Sequence, residues 1–176
     1  MRMWAGNMTG MLIFAVLSLT QRHYAYAAEH LGAVFAFTGG VVTARLVRKA
    51  IHRPEAALWL PAILTAVAIP LFPGLAGFYL VAFAMGTQNG AVHIFGGATV
   101  NTVFMTGNLE RLGEGIGDRD ASKSPGLIAV AIVAYAAGAV AGGYAEVSFP
   151  GALLATPVTL GLIAASSRRI FPNPEA

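Results

Sequence analysis

The sequence predicts an all-α, polytopic integral membrane protein. About five transmembrane helices follow a short N-terminal half-helix, and the whole forms two inverted-topology repeats. Three observations carry this expectation. Only 11% of the 176 residues are charged while 56% are hydrophobic, and the mean hydropathy is +0.67; a soluble domain carries about 25% charged residues. Apolar runs approaching the roughly 20 residues that cross a bilayer recur along the chain. A Met-Thr-Gly triplet occurs twice, at Met8-Thr9-Gly10 and at Met105-Thr106-Gly107.

Met8 to Leu19 is too short to span alone and reads as a half-helix. Asn7, Thr9 and Gly10 interrupt the approach to it, and no small-x-small site follows before Gln21, so a cleaved signal peptide is disfavoured. Gln21 to His30 is polar and mixed. Leu31 to Val47 is the first span, followed by Arg48, Lys49, His52 and Arg53, and stopped by Pro54. Ala56 to Phe72 is the second, carrying Pro61 and Pro70, which neighbouring helices can accommodate in lipid. Pro73-Gly74 makes a tight turn. Leu75 to Val92 is the third span and ends in the polar run Gly86-Thr87-Gln88-Asn89. His93 to Gly97 breaks it. The Val100 to Leu112 segment follows, and Glu110 to Lys123 is charged and wet. Gly126 to Ala145 and Phe149 to Ala165 are the fourth and fifth spans.

Lys and Arg in short loops set orientation. With the Arg45 to Arg53 loop cytoplasmic, alternation places every basic residue except Arg2 and Arg22 on that side, and the C-terminus with them. The chain is expected in a bacterial cytoplasmic (inner) membrane, multi-pass. The formal charge of +3 is therefore a topology signal, and no nucleic-acid partner is expected. Trp4, Tyr26, Trp59, Tyr79 and Tyr144 sit near span ends, where aromatic belts form.

The repeat extends beyond the triplet. At an offset of about 97 positions, Ala36-Phe37 falls near Ala134-Tyr135, Gly40 near Gly138, Val42 near Val140 and Pro61 near Pro157. One domain over 1–176 is expected, with a first repeat over 4–72 and a second over 75–168. Three spans per half would invert one half against the other, as in many secondary transporters.

Polar side chains inside such a chain are the candidate site. Asn101, Thr102, Thr106 and Asn108 lie close together, and Gly107 lets the backbone bend or approach a ligand. Thr106 or Asn108 would cap a short helix beginning near Leu109. Asn7, Thr9 and Gly10 repeat the set before Met11. Amides at half-helix N-termini can hold an anion, and unwound carbonyls a cation. The competing reading makes both copies structural, as caps and small-residue contacts at a pseudo-twofold axis. Gln88 and Asn89, two adjacent amides in an apolar span, are costly unless partnered. They either glue helices together or line a polar cavity. His93 is a candidate proton carrier or an interfacial residue. Gly138-x-x-x-Gly142, with Gly143, permits close helix packing. Contact with the Gly39-Gly40 span is favoured over a dimer interface, and a homo-oligomer stays open. With no cysteine, no metal motif, no Ser/His/Asp order and no nucleotide fingerprint, we expect no catalytic residue, no metal, no cofactor and no enzyme.

The stretch FAMGTQNGAVHIFGGATVNTVFMTGNLERLGEGIG resembles the second-half signature of the YoaK family, bacterial inner-membrane proteins described as YoaK-like small-molecule metabolite transporters and carried as a domain of unknown function. AGNMTGMLIFAVL resembles its first-half motif, usually NMTGN, with Met11 in place of the final Asn. The resemblance covers about Trp4 to Arg168. It implies one further membrane helix, with an intramembrane Asp, ahead of the point where this sequence starts. It also implies transport without a defined substrate. The function expected is therefore a transporter-like protein for a small polar metabolite. Its site would lie between the two MTG segments near the bilayer midplane, lined by Asn7, Thr9, Gly10, Gln88, Asn89, Asn101, Thr106, Gly107 and Asn108. The partners would be the lipid bilayer and a small molecule. The alternative is a non-transporting scaffold in which the MTG segments only pack the halves together.

Overall fold

The computed structural model describes residues 8–51, 54–71, 74–91, 94–95, 98–99, 105–117, 125–148 and 154–170. Among these residues the chain forms seven α-helices and one two-stranded ladder. It divides into two compact units, Met1–Ala91 with Leu154–Ala176, and Val92–Leu153.

The first unit holds α1 (Met8–Thr20), α2 (Tyr24–Ile51), α3 (Pro54–Ala68), α4 (Leu75–Ala91) and α7 (Ala155–Ile170). Helix α1 ends in a Schellman motif. The Arg22 N–H donates to Leu19 O and the His23 N–H to Ser18 O, at 3.0 and 2.8 Å. Arg22 occupies the left-handed region, with φ 62°, where glycine is the usual residue. The next helix starts at once, because the His23 carbonyl accepts the Ala27 N–H.

Helix α2 is longer than the expected Leu31 to Val47 span. It absorbs Tyr24 to His30 and the basic turn at Arg48-Lys49. Tyr24 to Glu29 contains three alanines, the best helix former, so the local preference carries the helix through residues that hydropathy alone leaves out. The buried residues Ala27, His30, Ala33, Phe37, Gly40 and Ala44 recur every three or four positions, as one helix face requires.

Pro54 opens α3, where its missing N–H costs nothing. Inside α3, Pro61 is buried, and the Thr65 hydroxyl donates to the Pro61 carbonyl. The helix tightens into a 3-10 turn over Ile69–Leu71 that contains Pro70. The Gly74 N–H then donates to Leu71 O at 2.9 Å, and the Gly74 carbonyl accepts the Phe78 N–H, capping α4. Helix α7 packs on α3, with the Trp59 ring 3.5 Å from where a Cβ would stand on Gly161.

Helices α2 and α4 make the closest packing of the unit. Gly32 meets Tyr79, Gly40 meets Phe83, and Gly90 meets Val41 and Ala44. The numbers rise together on both helices, so the pair is parallel, as an up-down-up order through α3 requires. The contact is reciprocal. A Cβ on Gly40 would run into the Phe83 carbonyl, and one on Gly86 into the Phe37 carbonyl. A Phe-x-x-Gly on each helix thus seats its glycine on the other's backbone, where each weak Cα–H···O contact is worth about 0.5–1 kcal/mol.

The second unit holds β1 (Ile94–Phe95), β2 (Ala98–Thr99), α5 (Met105–Gly117) and α6 (Pro125–Ser148). The strands pair antiparallel, Ile94 with Thr99 and Phe95 with Ala98, where the sequence predicted only a break. Helix α5 starts at the MTG triplet, four residues before the expected Leu109, and runs through much of the segment read as wet. Its apolar residues Leu109, Leu112 and Ile116 recur every three or four positions, while Glu110, Arg111 and Glu114 take the remaining side, which is an amphipathic helix pattern. Gly115 lies against the Pro125 ring at the start of α6, at 3.1 Å from a notional Cβ.

Among the described residues, two helices are long and apolar enough to cross a membrane, over Tyr24–Ile51 and Pro125–Ala145. Shorter apolar helices run over Met8–Thr20, Trp59–Leu71 and Ala155–Ser166.

Candidate functional site

Both MTG triplets open a helix of 13 residues. The sequence placed Thr9, Gly10, Thr106 and Asn108 ahead of a helix, as caps or unwound backbone. In the structure they lie inside its first turn. A residue already inside the first turn is not the helix's N-cap, which lies ahead of it. Thr9 and Thr106 are exposed, Gly10 and Gly107 half-buried, and Asn108 buried at 3% exposure. Gly107 has open space where a side chain would be, so packing does not demand glycine there. Asn7, His93, Asn101 and Thr102 lie outside the described residues.

The polar end of α4 is the better defined cluster. Thr87 is fully buried, and its hydroxyl donates to Ala84 O at 2.7 Å, which satisfies it within its own helix. Its backbone nitrogen stands 2.9 Å from a notional Cβ on Gly40. Gln88 and Asn89 follow, both half-buried. Among the described residues neither amide has a hydrogen-bond partner. Two amides offer four N–H donors and two carbonyl acceptors between them, and half-buried groups of this kind normally find partners.

Within the first unit, α1 and α4 both pack along α2. The rings of Phe14 and His30 stand 5.8 Å apart across the α1–α2 hairpin. Counting outward from that pair at 1.5 Å per residue puts Thr9 near the level of Phe35, about 9 Å before Val41, which lies against Gly90 just beyond the amide pair. Thr9 and the amide pair therefore share a depth to within about two helical turns but stand on different helices. The second MTG copy, Thr106-Gly107-Asn108, belongs to the other unit.

His30 was missed by sequence reasoning. It is 2% exposed, and its Nδ1–H donates to Tyr26 O at 2.6 Å. A carbonyl only accepts, so Nδ1 carries a proton. The available signal was the spacing Ala27, His30, Ala33, Phe37, hidden because Gln21 to His30 was read as polar connection. The packing of Gly39-Gly40 is a second finding. These glycines seat α4, with Gly39 3.5 Å from the Phe83 ring at a notional Cβ. Gly138, Gly142 and Gly143 belong to the second unit, where none of them has a close neighbour at a notional Cβ. A glycine face packs only where its partner presents backbone at matching height, and α4 does so through Gly86 and Gly90.

No curated protein and no solved structure matches the chain. Residues 1–166 match the family described as "Protein of unknown function (DUF1275)", and the chain belongs to that family.

Proposed function

We propose that this DUF1275 protein is a multi-pass membrane protein of the YoaK-like kind that moves a small polar metabolite. The observation carrying the reading is the Gln88–Asn89 pair. In an apolar helix such amides are expensive unless something answers them, and no described side chain does. A hydroxylated or amide-bearing solute can supply both donors and acceptors to them. Thr9 and Gly10, with Asn7 ahead of them, and Thr106, Gly107 and Asn108, with Asn101 ahead of them, are assigned as further substrate contacts.

The surface supports the membrane reading. Leu12, Ile13, Phe14, Val16, Leu17 and Leu19 are all about half exposed on α1, and Phe35, Val42 and Leu46 are 73%, 50% and 61% exposed on α2. A soluble surface breaks up apolar area of this extent; a lipid-facing one does not. The repeat supports the transporter reading, because the two 13-residue MTG helices occupy corresponding places in the two sequence halves.

The test uses the absence of cysteine. Asn89→Cys in the otherwise cysteine-free protein is treated in intact membranes with a membrane-impermeant thiol reagent. Labelling that an added polar-metabolite extract slows is expected. A thiol that never labels would give a dry contact and favour the scaffold alternative. Gln88→Leu with Asn89→Leu is then expected to remove the metabolite differences between cells with and without the gene, at unchanged expression.

A further inference from the structure

Helix α2 has a surface not used by its packing. Tyr24, Phe35, Val42 and Leu46 are exposed at 65%, 73%, 50% and 61%. At 100° per residue they line one stripe, Lys49 continues it, and Arg45 and Arg48 lie to one side of its end, about 60° and 120° around the helix. Tyr24 to Arg45 is about 32 Å along the axis at 1.5 Å per residue, close to the roughly 30 Å hydrocarbon core of a bilayer. The stripe thus begins at an aromatic ring, runs apolar for one hydrocarbon thickness and ends in three cations.

Among the described residues no carboxylate answers those cations. Arg45, Arg48 and Lys49 are all exposed, and among the described residues none makes an ion pair. Three positive charges within two turns, at the depth where the bilayer presents phosphate, are complementary to lipids that carry net negative charge. The guanidinium groups of Arg45 and Arg48 can each take a phosphate bidentately, while Lys49 adds a point charge.

We infer that the C-terminal end of α2 is a binding surface for anionic phospholipid headgroups, formed by Arg45, Arg48 and Lys49. This rests on the membrane reading above.

The test reconstitutes the full chain into nanodiscs of zwitterionic lipid with a minority of phosphatidylglycerol. The phosphatidylglycerol retained per protein is then counted after mild detergent washing, by native mass spectrometry. Enrichment over the input mixture is expected for the natural sequence. Each cation contributes about 1 kcal/mol near an anionic surface, so its loss weakens retention about fivefold. Arg45→Gln should show that step, and R45Q/R48Q/K49Q should abolish enrichment. Arg22→Gln removes the same charge at the opposite end of the stripe and should leave enrichment unchanged. Inorganic phosphate at constant ionic strength should not displace the lipid.

Enrichment that survives in the triple variant, or falls equally in Arg22→Gln, overturns the assignment in favour of overall charge. Displacement by inorganic phosphate overturns it in favour of a soluble anion. A change of oligomeric mass in the triple variant, with lipid retention intact, would give the trio to a contact between copies. A chain that inserts and shows no enrichment refutes this surface alone, whereas a chain that fails to insert refutes the membrane reading as well.

Discussion

Gly40 and Gly138 stand at corresponding positions of the two sequence halves, and their surroundings are opposite. A methyl group on Gly40 would collide with the Phe83 carbonyl, while one on Gly138 would touch nothing within 4 Å. The same holds along both helices. On α2, Gly32, Gly39 and Gly40 all have close neighbours from α4; on α6, Gly138, Gly142 and Gly143 have open space. A small-residue stripe is thus permission to pack rather than an instruction. What turns α2's stripe into an interface is a second helix with its own glycines in register.

Substitutions can break this comparison at several strengths. The largest effect is expected at Gly86→Ala and Gly40→Ala. Each methyl meets main chain, which cannot rotate away, so the α2–α4 pair must separate. Overpacking of this kind costs about 3 kcal/mol, read as a lowered midpoint in detergent unfolding monitored by helical circular dichroism. A smaller loss, about 1–2 kcal/mol, is expected for Gly32→Ala. Its neighbour is the Tyr79 side chain, with the hydroxyl 2.7 Å away from the notional Cβ, and a side chain can yield. Tyr79→Leu in the same chain should recover part of that loss, so a double-mutant cycle gives a coupling clearly different from zero. The smallest effect, of opposite sign, is expected at Gly138→Ala. With room for the methyl, helix propensity alone should stabilise by up to about 1 kcal/mol. If Gly138→Ala destabilised as much as Gly40→Ala, the contrast between the two stripes would be void.

Much of the helical layout was legible because hydropathy reports it directly. Proline and glycine punctuation also located the breaks at Pro54 and Gly74. The boundaries failed where propensity and hydropathy disagree. Tyr24 to Glu29 is mildly polar but alanine-rich, so it continues α2 and carries His30 into the core. Met105 to Asn108 looks like a cap, yet Leu109, Leu112 and Ile116 set a helical period that reaches back to include it. The amide pair Gln88–Asn89 was visible from the sequence, since polar residues in an apolar run stand out. The partner of Gly40 was not. Gly86 and Gly90 are spaced like many other small residues in the chain, and only the parallel register of α4 shows which glycines meet.

The reciprocal seating of Gly40 and Gly86 divides the labour along α4. Adhesion there belongs to main-chain atoms, which are the same whatever side chains surround them. The residues that follow, Gln88 and Asn89, are therefore spared any duty in holding the helices together. Under the function proposed above, their identity answers to a solute. A change at either amide should leave the helix pair beneath it assembled and, on that proposal, alter which solute is taken.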